Sequence, residues 1–200
     1  MVAVVAVLAA LLPAATGVGA AAAEVATAWG IEHLMQNLRQ VKSAKGKFVE
    51  RKYMAMLNAP LDTSGTLVYT APGRLEKVTL LPKPETLVLD QNKLSIDYKD
   101  RNQRRTLVLQ DYPVIWALVE SIRSTLAGDL PTLSRFYRPS LVGSEDQWRL
   151  SLKPAEPKMQ SVVREIHISG SGNQVRTVEI IEAEGDRSVM TITTITGETP

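Results

Sequence analysis

The segment at residues 86–98 reads TLVLDQNKLSIDY, and it decides the fold. On both sides of its centre, leucine or isoleucine side chains alternate with other side chains, which is the period of a β-strand. The three residues between the two halves, 91–93, are the polar QNK, and a loop of this length joins the strands of a β-hairpin. The segment therefore predicts two antiparallel strands that share one apolar face.

Strand-like segments continue on both sides of this hairpin. The sequence Pro72-Gly73 is a turn signal between two of them. In the last third of the chain, Trp148, Leu150 and Leu152 alternate with Arg149, Ser151 and Lys153, the pattern of a half-buried strand. The other predicted strands lie at 48–57, 65–70, 74–80 and 104–109, around 166–168 and 178–180, and at 189–195.

Two segments carry the helical period instead. The first precedes the strands, and its apolar stripe consists of Ile31, Leu34, Met35, Leu38 and Val41. The second lies between the two groups of strands, and its stripe consists of Ile115, Leu118, Val119, Ile122 and Leu126. Pro113 near its start and Gly128 past its end are typical helix boundaries. A short helical piece at 130–136 is expected to follow.

These patterns predict an α+β fold with a single large antiparallel sheet of about ten or eleven strands. A sheet of this size must curl, close or split. We expect a strongly curved, unclosed half-barrel with an N-terminal helix and a central helical lid over its concave side. The central helix could be a mobile lid or a fixed part of the core, and the sequence leaves both open. No linker divides residues 24–200, which we interpret as one domain.

Residues 1–23 read MVAVVAVLAALLPAATGVGAAAA and predict a signal peptide. The apolar run has the length of a signal-peptide core and is too short to span a bilayer. We expect cleavage near Ala23, an exported chain and a periplasmic location. The alternative, a buried N-terminal helix, is disfavoured because the run has no polar face. The absence of cysteine excludes disulfides, thiol nucleophiles and thiolate metal sites.

The composition argues against several classes of function. The net charge of +2 is close to balance, so we expect no nucleic-acid partner. The two histidines, His33 and His167, are far apart in sequence, and we expect His167 to face solvent. Common hydrolase and metalloprotease motifs are absent, as is a nucleophile paired with a base. We therefore predict a protein that is not an enzyme and has no metal site and no cofactor.

The candidate site is an apolar cavity on the concave face of the curved sheet. Apolar side chains on alternating strand positions and on the central helix can line such a cavity, and methionines adapt to varied ligands. The predicted lipid-binding residues are Met54, Met56, Leu67, Tyr69, Leu75, Leu87, Leu89, Leu94, Ile96, Trp116, Trp148 and Leu150. The predicted lid residues are Ile115, Leu118, Val119 and Ile122.

The order of several short motifs resembles the LolA family of lipoprotein carriers. These motifs are Phe48-Val49-Glu50, Gly65-Thr66-Leu67, Pro72-Gly73 and the hairpin at 84–98. The resemblance covers about residues 31–200. It implies a periplasmic carrier and chaperone in lipoprotein transport and outer membrane biogenesis, with an inner-membrane donor and an outer-membrane acceptor. We also expect a monomer.

The chain departs from the family pattern around the turn after the second predicted strand. LolA carriers have an arginine before the proline of this turn, and that arginine helps to hold the lid closed. Here the position is Ala71, and Arg74 is the nearest candidate to replace the missing arginine. The hairpin also has Asp90-Gln91 where the family has Asp-Gly. The resemblance is therefore to a divergent member of the family.

Three functional hypotheses follow from these observations, and the third, a hydrolase, is disfavoured because a nucleophile paired with a base is absent. The first is a periplasmic carrier that binds an acylated or lipidic ligand in the apolar cavity and shuttles it between membranes. The second is a periplasmic lipid-sensing adaptor on the same fold that regulates a protein partner. Transfer of ligand between vesicles distinguishes a carrier from a sensor.

Overall fold

The structure is a computed structural model that describes residues 29–195, and within them it contains eleven β-strands and four α-helices. The predicted signal peptide and its cleavage site near Ala23 lie outside the described residues. The first six strands are β1 Ser43–Tyr53, β2 Leu61–Thr70, β3 Arg74–Leu81, β4 Glu85–Asp90, β5 Lys93–Tyr98 and β6 Gln103–Val108. The others are β7 Tyr137–Ser144, β8 Gln147–Pro154, β9 Val163–Ser171, β10 Gln174–Glu182 and β11 Arg187–Thr194. The helices are α1 Ile31–Arg39, α2 Pro113–Leu126, α3 Leu130–Phe136 and α4 Pro157–Gln160.

All eleven strands belong to one antiparallel sheet with the order β6-β5-β4-β3-β2-β1-β11-β10-β9-β8-β7. Two meanders, β1–β6 and β7–β11, meet where β1 pairs with β11. The edge strands β6 and β7 do not pair with each other, so the sheet is not closed. The connection between these two edges carries α2 and α3. The predicted α+β fold with an unclosed sheet, an N-terminal helix and central helices is confirmed.

The contacts of α2 require the sheet to be strongly curved. This helix packs against Leu94 in β5, and the carbonyl oxygen of Ala117 accepts a hydrogen bond from Tyr137 in β7. These strands are nine positions apart in the sheet order. In a flat sheet with about 4.8 Å between strands they would be about 43 Å apart. A helix of 14 residues is only about 21 Å long, so the two edges must bend towards it.

The side of the sheet that faces the helices is called the inner face here, and its larger core lies over β7–β10. The α1 stripe is confirmed, because Leu34, Met35 and Leu38 are buried. Thirteen buried residues form this cluster, and they come from α1–α4 and from β7, β8 and β9. Leu150 and Ile166 in this cluster have no exposed surface. Complete burial of one such side chain is worth about 1.5–3 kcal/mol, so this half provides most of the stabilising core.

The smaller core lies over β4 and β5. It has three buried members, which are Leu89, Leu94 and Leu109. Leu109 begins a short 3-10 turn, Leu109–Asp111, that leads the chain from the β6 edge into α2. Half-buried apolar side chains complete this cluster, and they are Leu75, Leu87, Leu107, Ile115, Trp116 and Val119.

One strand, β7, was not predicted by the sequence pattern. It contains Pro139 and Gly143, which interrupt the alternation of side chains. A proline is tolerated in β7 because the strand is at an edge of the sheet, where not every backbone N–H is needed for pairing. The first two strands also begin earlier than predicted, at Ser43 and Leu61, because their first residues are polar or exposed. None of the described helices is long and apolar enough to span a membrane.

Candidate functional site

Strand register brings most of the predicted lipid-binding residues into adjacent rows on the inner face. One row crosses β2 to β5 through Tyr69, Leu75, Leu89 and Leu94. The next row crosses the same strands through Leu67, Lys77, Leu87 and Ile96. These two sets are called the apolar rows, and Lys77 is the one charged residue in them. The register thus produces an apolar surface, interrupted by Lys77, from segments that are up to 29 residues apart in sequence.

The remaining predicted lipid-binding residues lie elsewhere. Trp148 and Leu150 are on the inner face but in the other half of the sheet, where they are fully buried beneath the helices. Met54 and Met56 lie in the connection between β1 and β2, and Met56 is 82% exposed. The structure therefore does not bring Met56 together with the apolar rows. Ligand binding by any of these residues remains a prediction.

The central helix α2 lies between the two halves of the inner face. On one side, Ile115, Trp116 and Val119 pack against the cluster of Leu89 and Leu94. On the other side, the remaining lid residues, Leu118 and Ile122, pack against the larger core. The predicted lid residues thus divide into two pairs with different surroundings. Only the pair Ile115 and Val119 covers the apolar rows.

A buried carboxylate and an arginine join α2 to the sheet. Glu120 is only 2% exposed. Its Oε1 accepts a hydrogen bond of 3.0 Å from Trp116 Nε1, and its Oε2 accepts bonds of 3.0 Å from Ser124 Oγ and 3.2 Å from Arg123 Nε. Arg123 Nη2 also bonds to Glu120 Oε1. Arg123 Nη1 donates a bond of 2.9 Å to the carbonyl oxygen of Gln91, in the turn between β4 and β5.

We call this set of contacts the Arg123 clamp. The side chain of Arg123 also lies against Gly73, where a Cβ would be only 2.8 Å from Arg123 Cγ and Cδ. The clamp therefore fixes α2 to two neighbouring turns, the β2–β3 turn and the β4–β5 turn. Sequence analysis missed it, although the spacing of Glu120 and Arg123 on an apolar helix was a usable signal.

Arg74 does not take part in this clamp. It bonds to Asp90 at 3.0 Å and lies 3.6 Å from Glu76, and its side chain is 45% exposed. By register, Arg74 opposes Thr70 and lies on the outer face of the sheet, away from α2. The guanidinium that joins helix and sheet in this structure is therefore that of Arg123, which belongs to the helix.

The inner face of β1–β4 becomes polar at the end farthest from the apolar row of Tyr69. A cleft of about 190 Å³ lies there, called the polar cleft. Its lining consists of Glu50, Lys52, Leu61, Thr63, Lys77, Thr79 and Glu85. Lys77 Nζ is 2.5 Å from Glu50 Oε2, and Ser188 Oγ donates a bond of 2.6 Å to Glu50 Oε1. Burial alone would raise the pKa of Glu50, but Lys77 and Ser188 outweigh it, so the pKa is lowered.

Phe48 lies at the boundary between the polar cleft and the apolar rows. Its side chain is 1% exposed, and it opposes Gly65 one row away from Leu67. A Cβ at Gly65 would be 3.0 Å from the Phe48 ring and 1.9 Å from the carbonyl oxygen of Val78, so the position has no room for a side chain. The Lys77 ammonium lies 4.9 Å from the centre of the Phe48 ring. The inner face is therefore amphiphilic along the strands.

A second cleft, of about 340 Å³, lies at the β7 edge. It is lined by Trp29, Gly30 and Ile31 and by residues 139–143, and none of the predicted lipid-binding residues lines it. Among residues 29–195, no group of three His, Asp or Glu side chains is placed to hold a metal ion. His167 differs from its expected exposure: its side chain is 18% exposed and lies 3.3 Å from Glu165 and 3.2 Å from Glu179.

Comparison with protein-family models gives a match over most of the chain. The family described as outer membrane lipoprotein carrier protein LolA-like matches residues 20–198. No curated protein sequence matches the chain.

Several solved structures are similar at low identity. A LolA superfamily protein from Nitrosomonas europaea is 10% identical, with a TM-score of 0.43 over 86% of this chain and 96% of that one. A DUF1329 family protein from Desulfovibrio piger is 10% identical, with a TM-score of 0.44 over 84% of this chain and 92% of that one. The MucA/MucB complex of Pseudomonas aeruginosa gives 14% identity and a TM-score of 0.45, over 85% of this chain and 56% of that one.

Proposed function

The chain belongs to the family of LolA-like outer membrane lipoprotein carrier proteins, and from this premise we propose that it carries an acylated or lipidic ligand between membranes. The acyl chain binds on the apolar rows, beneath α2. The protein acts in the periplasm, after cleavage of the signal peptide near Ala23. An inner-membrane donor loads it as a monomer, and an outer-membrane acceptor takes the ligand.

The observation that carries this proposal is the position of α2 over the apolar rows. Leu89 is 2% and Leu94 is 7% exposed, and both are covered by Ile115, Trp116 and Val119 from this one helix. If α2 moves away, an apolar surface opens on β2–β5 without any change in strand pairing. An acyl chain can then replace the side chains of α2 as the cover of that surface.

The free energy gained by burying an acyl chain is similar to the free energy needed to open α2, which is compatible with reversible loading. Each buried CH₂ group of an acyl chain contributes about 0.8 kcal/mol. Opening α2 exposes Ile115, Trp116 and Val119 and also removes Leu118 and Ile122 from the larger core, and each side chain costs roughly 1.5–3 kcal/mol when fully exposed. The five side chains together cost roughly 7.5–15 kcal/mol, which an acyl chain of about ten to eighteen carbons offsets. The Arg123 clamp adds to that cost and keeps the empty protein closed.

The test is transfer of a fluorescent acylated lipid from donor vesicles to acceptor vesicles by the purified protein. We expect transfer to increase with protein concentration. Leu89→Lys places an unpaired charge among the apolar rows and should abolish transfer. The matched control is Val142→Lys on β7, because Val142 is 62% exposed and outside the rows. The control should transfer as well as wild type.

Three results separate the possible conclusions. Transfer that Leu89→Lys removes and Val142→Lys retains supports the carrier. Binding of the lipid without transfer contradicts a carrier and favours the lipid-sensing adaptor. A folded Leu89→Lys variant that transfers lipid as fast as wild type places the binding site elsewhere. Circular dichroism of each variant establishes that it is folded.

A further inference from the structure

Two buried hydroxyl groups in the polar cleft lack partners. Thr63 Oγ1 and Thr79 Oγ1 are buried, and neither has a hydrogen-bond partner within the described part of the chain. Thr79 is only 4% exposed, and both residues line the cleft. A buried polar group without a partner is costly, and such groups are rare in native proteins. Two of them in one cleft indicate that the cleft accepts a polar ligand.

The charges of the polar cleft indicate which kind of polar group fits. Lys77 is paired with Glu50, and Lys52 is paired with Glu182 at 3.0 Å. Glu85 opposes Thr79 across β3 and β4, and among residues 29–195 no Lys or Arg forms an ion pair with it. The groups that remain available are one carboxylate and two hydroxyls. A carboxylate can only accept hydrogen bonds, so the ligand must donate them.

We propose that the polar cleft binds the polar head of the acylated ligand and selects heads that donate hydrogen bonds and carry no net negative charge. Glu85 accepts a bond from an ammonium or hydroxyl group of the head, and Thr63 and Thr79 bond to its other polar atoms. This assignment rests on the proposed function, since the acyl chain of the same ligand binds on the apolar rows.

The geometry of β4 allows one ligand to occupy both regions. Glu85 and Leu89 are on the same face of this strand, four residues apart, which corresponds to about 13 Å. A head at Glu85 therefore places the attached acyl chain along Leu87 and Leu89. The volume of about 190 Å³ is on the order of six water-sized groups at about 30 Å³ each, enough for a small head.

The experiment measures binding of three single-chain lipids to the purified protein by isothermal titration calorimetry. Oleylamine has an ammonium head, oleoyl ethanolamide has a hydroxyl head, and oleate has a carboxylate head on a similar tail. We expect oleylamine and oleoyl ethanolamide to bind roughly tenfold more tightly than oleate, because only they donate hydrogen bonds to Glu85.

Two variants test the residues directly. Glu85→Gln should weaken the binding of oleylamine by roughly tenfold, because it removes the negative charge. The affinity for oleate should be unchanged or higher. Thr79→Val replaces the unpartnered hydroxyl with a methyl group of the same shape. It should therefore weaken the binding of oleoyl ethanolamide without lowering the stability of the empty protein. The matched controls are Glu76→Gln and Thr66→Val, which change the same residue types on the outer face. Both should bind all three lipids like wild type.

Each outcome has a defined meaning. Selectivity for the two donor heads that Glu85→Gln and Thr79→Val reduce supports the head site. Equal affinity for all three lipids, unchanged in both variants, overturns the head site and leaves the carrier function standing. Failure of wild type to bind any of the three lipids overturns the carrier function and the head site together.

Discussion

The two halves of the inner face have opposite character, although one helix covers both. The half over β7–β10 has thirteen buried core residues, from four helices and three strands. The half over β3–β6 has three, covered by one side of α2 and the 3-10 turn. The larger core therefore provides most of the stability, and the smaller core depends on α2, which also contributes Ala117 to the larger one.

The difference also concerns polar groups. In the β7–β10 half, the buried indole N–H of Trp148 donates to the carbonyl oxygen of Gly172 at 2.9 Å, and the Tyr137 hydroxyl donates to Ala117. On β2 and β3, the hydroxyls of Tyr69, Thr63 and Thr79 are buried and have no hydrogen-bond partner within residues 29–195. The indole Nε1 of Trp29, which packs against the larger core, also lacks one there. Buried polar groups without a partner are rare in native proteins, and three of these four lie on β2 and β3.

The largest expected effect is on the free energy of unfolding, and it is measured by replacing one leucine in each half. Leu150→Ala should lower the free energy of unfolding by about 3–5 kcal/mol, because the fully packed core cannot collapse into the cavity. Leu89→Ala should cost only about 2 kcal/mol, because α2 can shift to fill the space. Urea denaturation of both variants measures the difference. If Leu89→Ala costs as much as Leu150→Ala, the two halves are equally rigid.

The next effect concerns the Arg123 clamp. Arg123→Met should cost about 2 kcal/mol, because it removes two hydrogen bonds from the buried Glu120 carboxylate. Hydrogen exchange should accelerate in α2 before it does in β8 and β9. The matched control is Arg74→Met, which removes only an exposed pair and should cost less than about 0.5 kcal/mol. Equal exchange rates in the two variants would show that Arg123 does not hold the helix.

A smaller effect is expected from pH. The pKa of Glu50 is lowered in the folded protein, so its stabilising contribution is present above the ordinary pKa of about 4.3 and is lost as the pH falls further. Wild type should therefore lose more stability than Glu50→Gln when the pH falls from neutral to below that value. Urea denaturation at several pH values gives this comparison.

The control for pH is the exposed pair of Asp62 and Arg51. A hydrogen bond from Arg51 lowers the pKa of Asp62, and both side chains are 51% exposed. At about 1 M salt, exposed charges are screened within about 3 Å. Wild type and Asp62→Asn should therefore show the same pH dependence of stability at this salt concentration. The difference caused by Glu50→Gln should persist, because the Glu50 side chain is only 21% exposed. Loss of both differences would place Glu50 in a solvated environment.

Much of the fold follows from local patterns in the sequence. The hairpin of β4 and β5, the stripe of α1 and the bounds of α3 come from periodicity and from turn residues such as Gly128. The predicted stripe of α2 is only half-buried, and the buried residues of this helix are Ala117, Glu120, Ser121, Ser124 and Thr125. Edge strand β7 escaped prediction because Pro139 and Gly143 interrupt its alternation. The division of the inner face escaped prediction because burial depends on which strands α2 covers, and that is set by pairing between distant segments.

The sequence predicts many of the residues of the candidate site, but it does not predict how they are arranged. Alternation alone placed Leu67, Tyr69 and Leu89 on a common face. Met54 and Met56 were predicted to lie on the strand at 48–57, but β1 ends at Tyr53, and Met56 is exposed because it lies in the loop that follows. The polar cleft depends on a row that joins Gly65, Thr79 and Glu85 across three strands. Register sets such a row, and a single sequence does not reveal it.

The most direct test of the central claim uses a brominated acyl chain, because bromine quenches tryptophan fluorescence on close approach. Trp116 covers the apolar rows, whereas Trp148 is buried in the larger core over β7–β10. One variant keeps only Trp116, through Trp29→Phe and Trp148→Phe, and the other keeps only Trp148, through Trp29→Phe and Trp116→Phe. We predict that dibromostearate strongly quenches Trp116 and leaves the emission of Trp148 unchanged. Quenching of Trp148 alone, or equal quenching of both, would contradict the proposal that the ligand binds on the apolar rows.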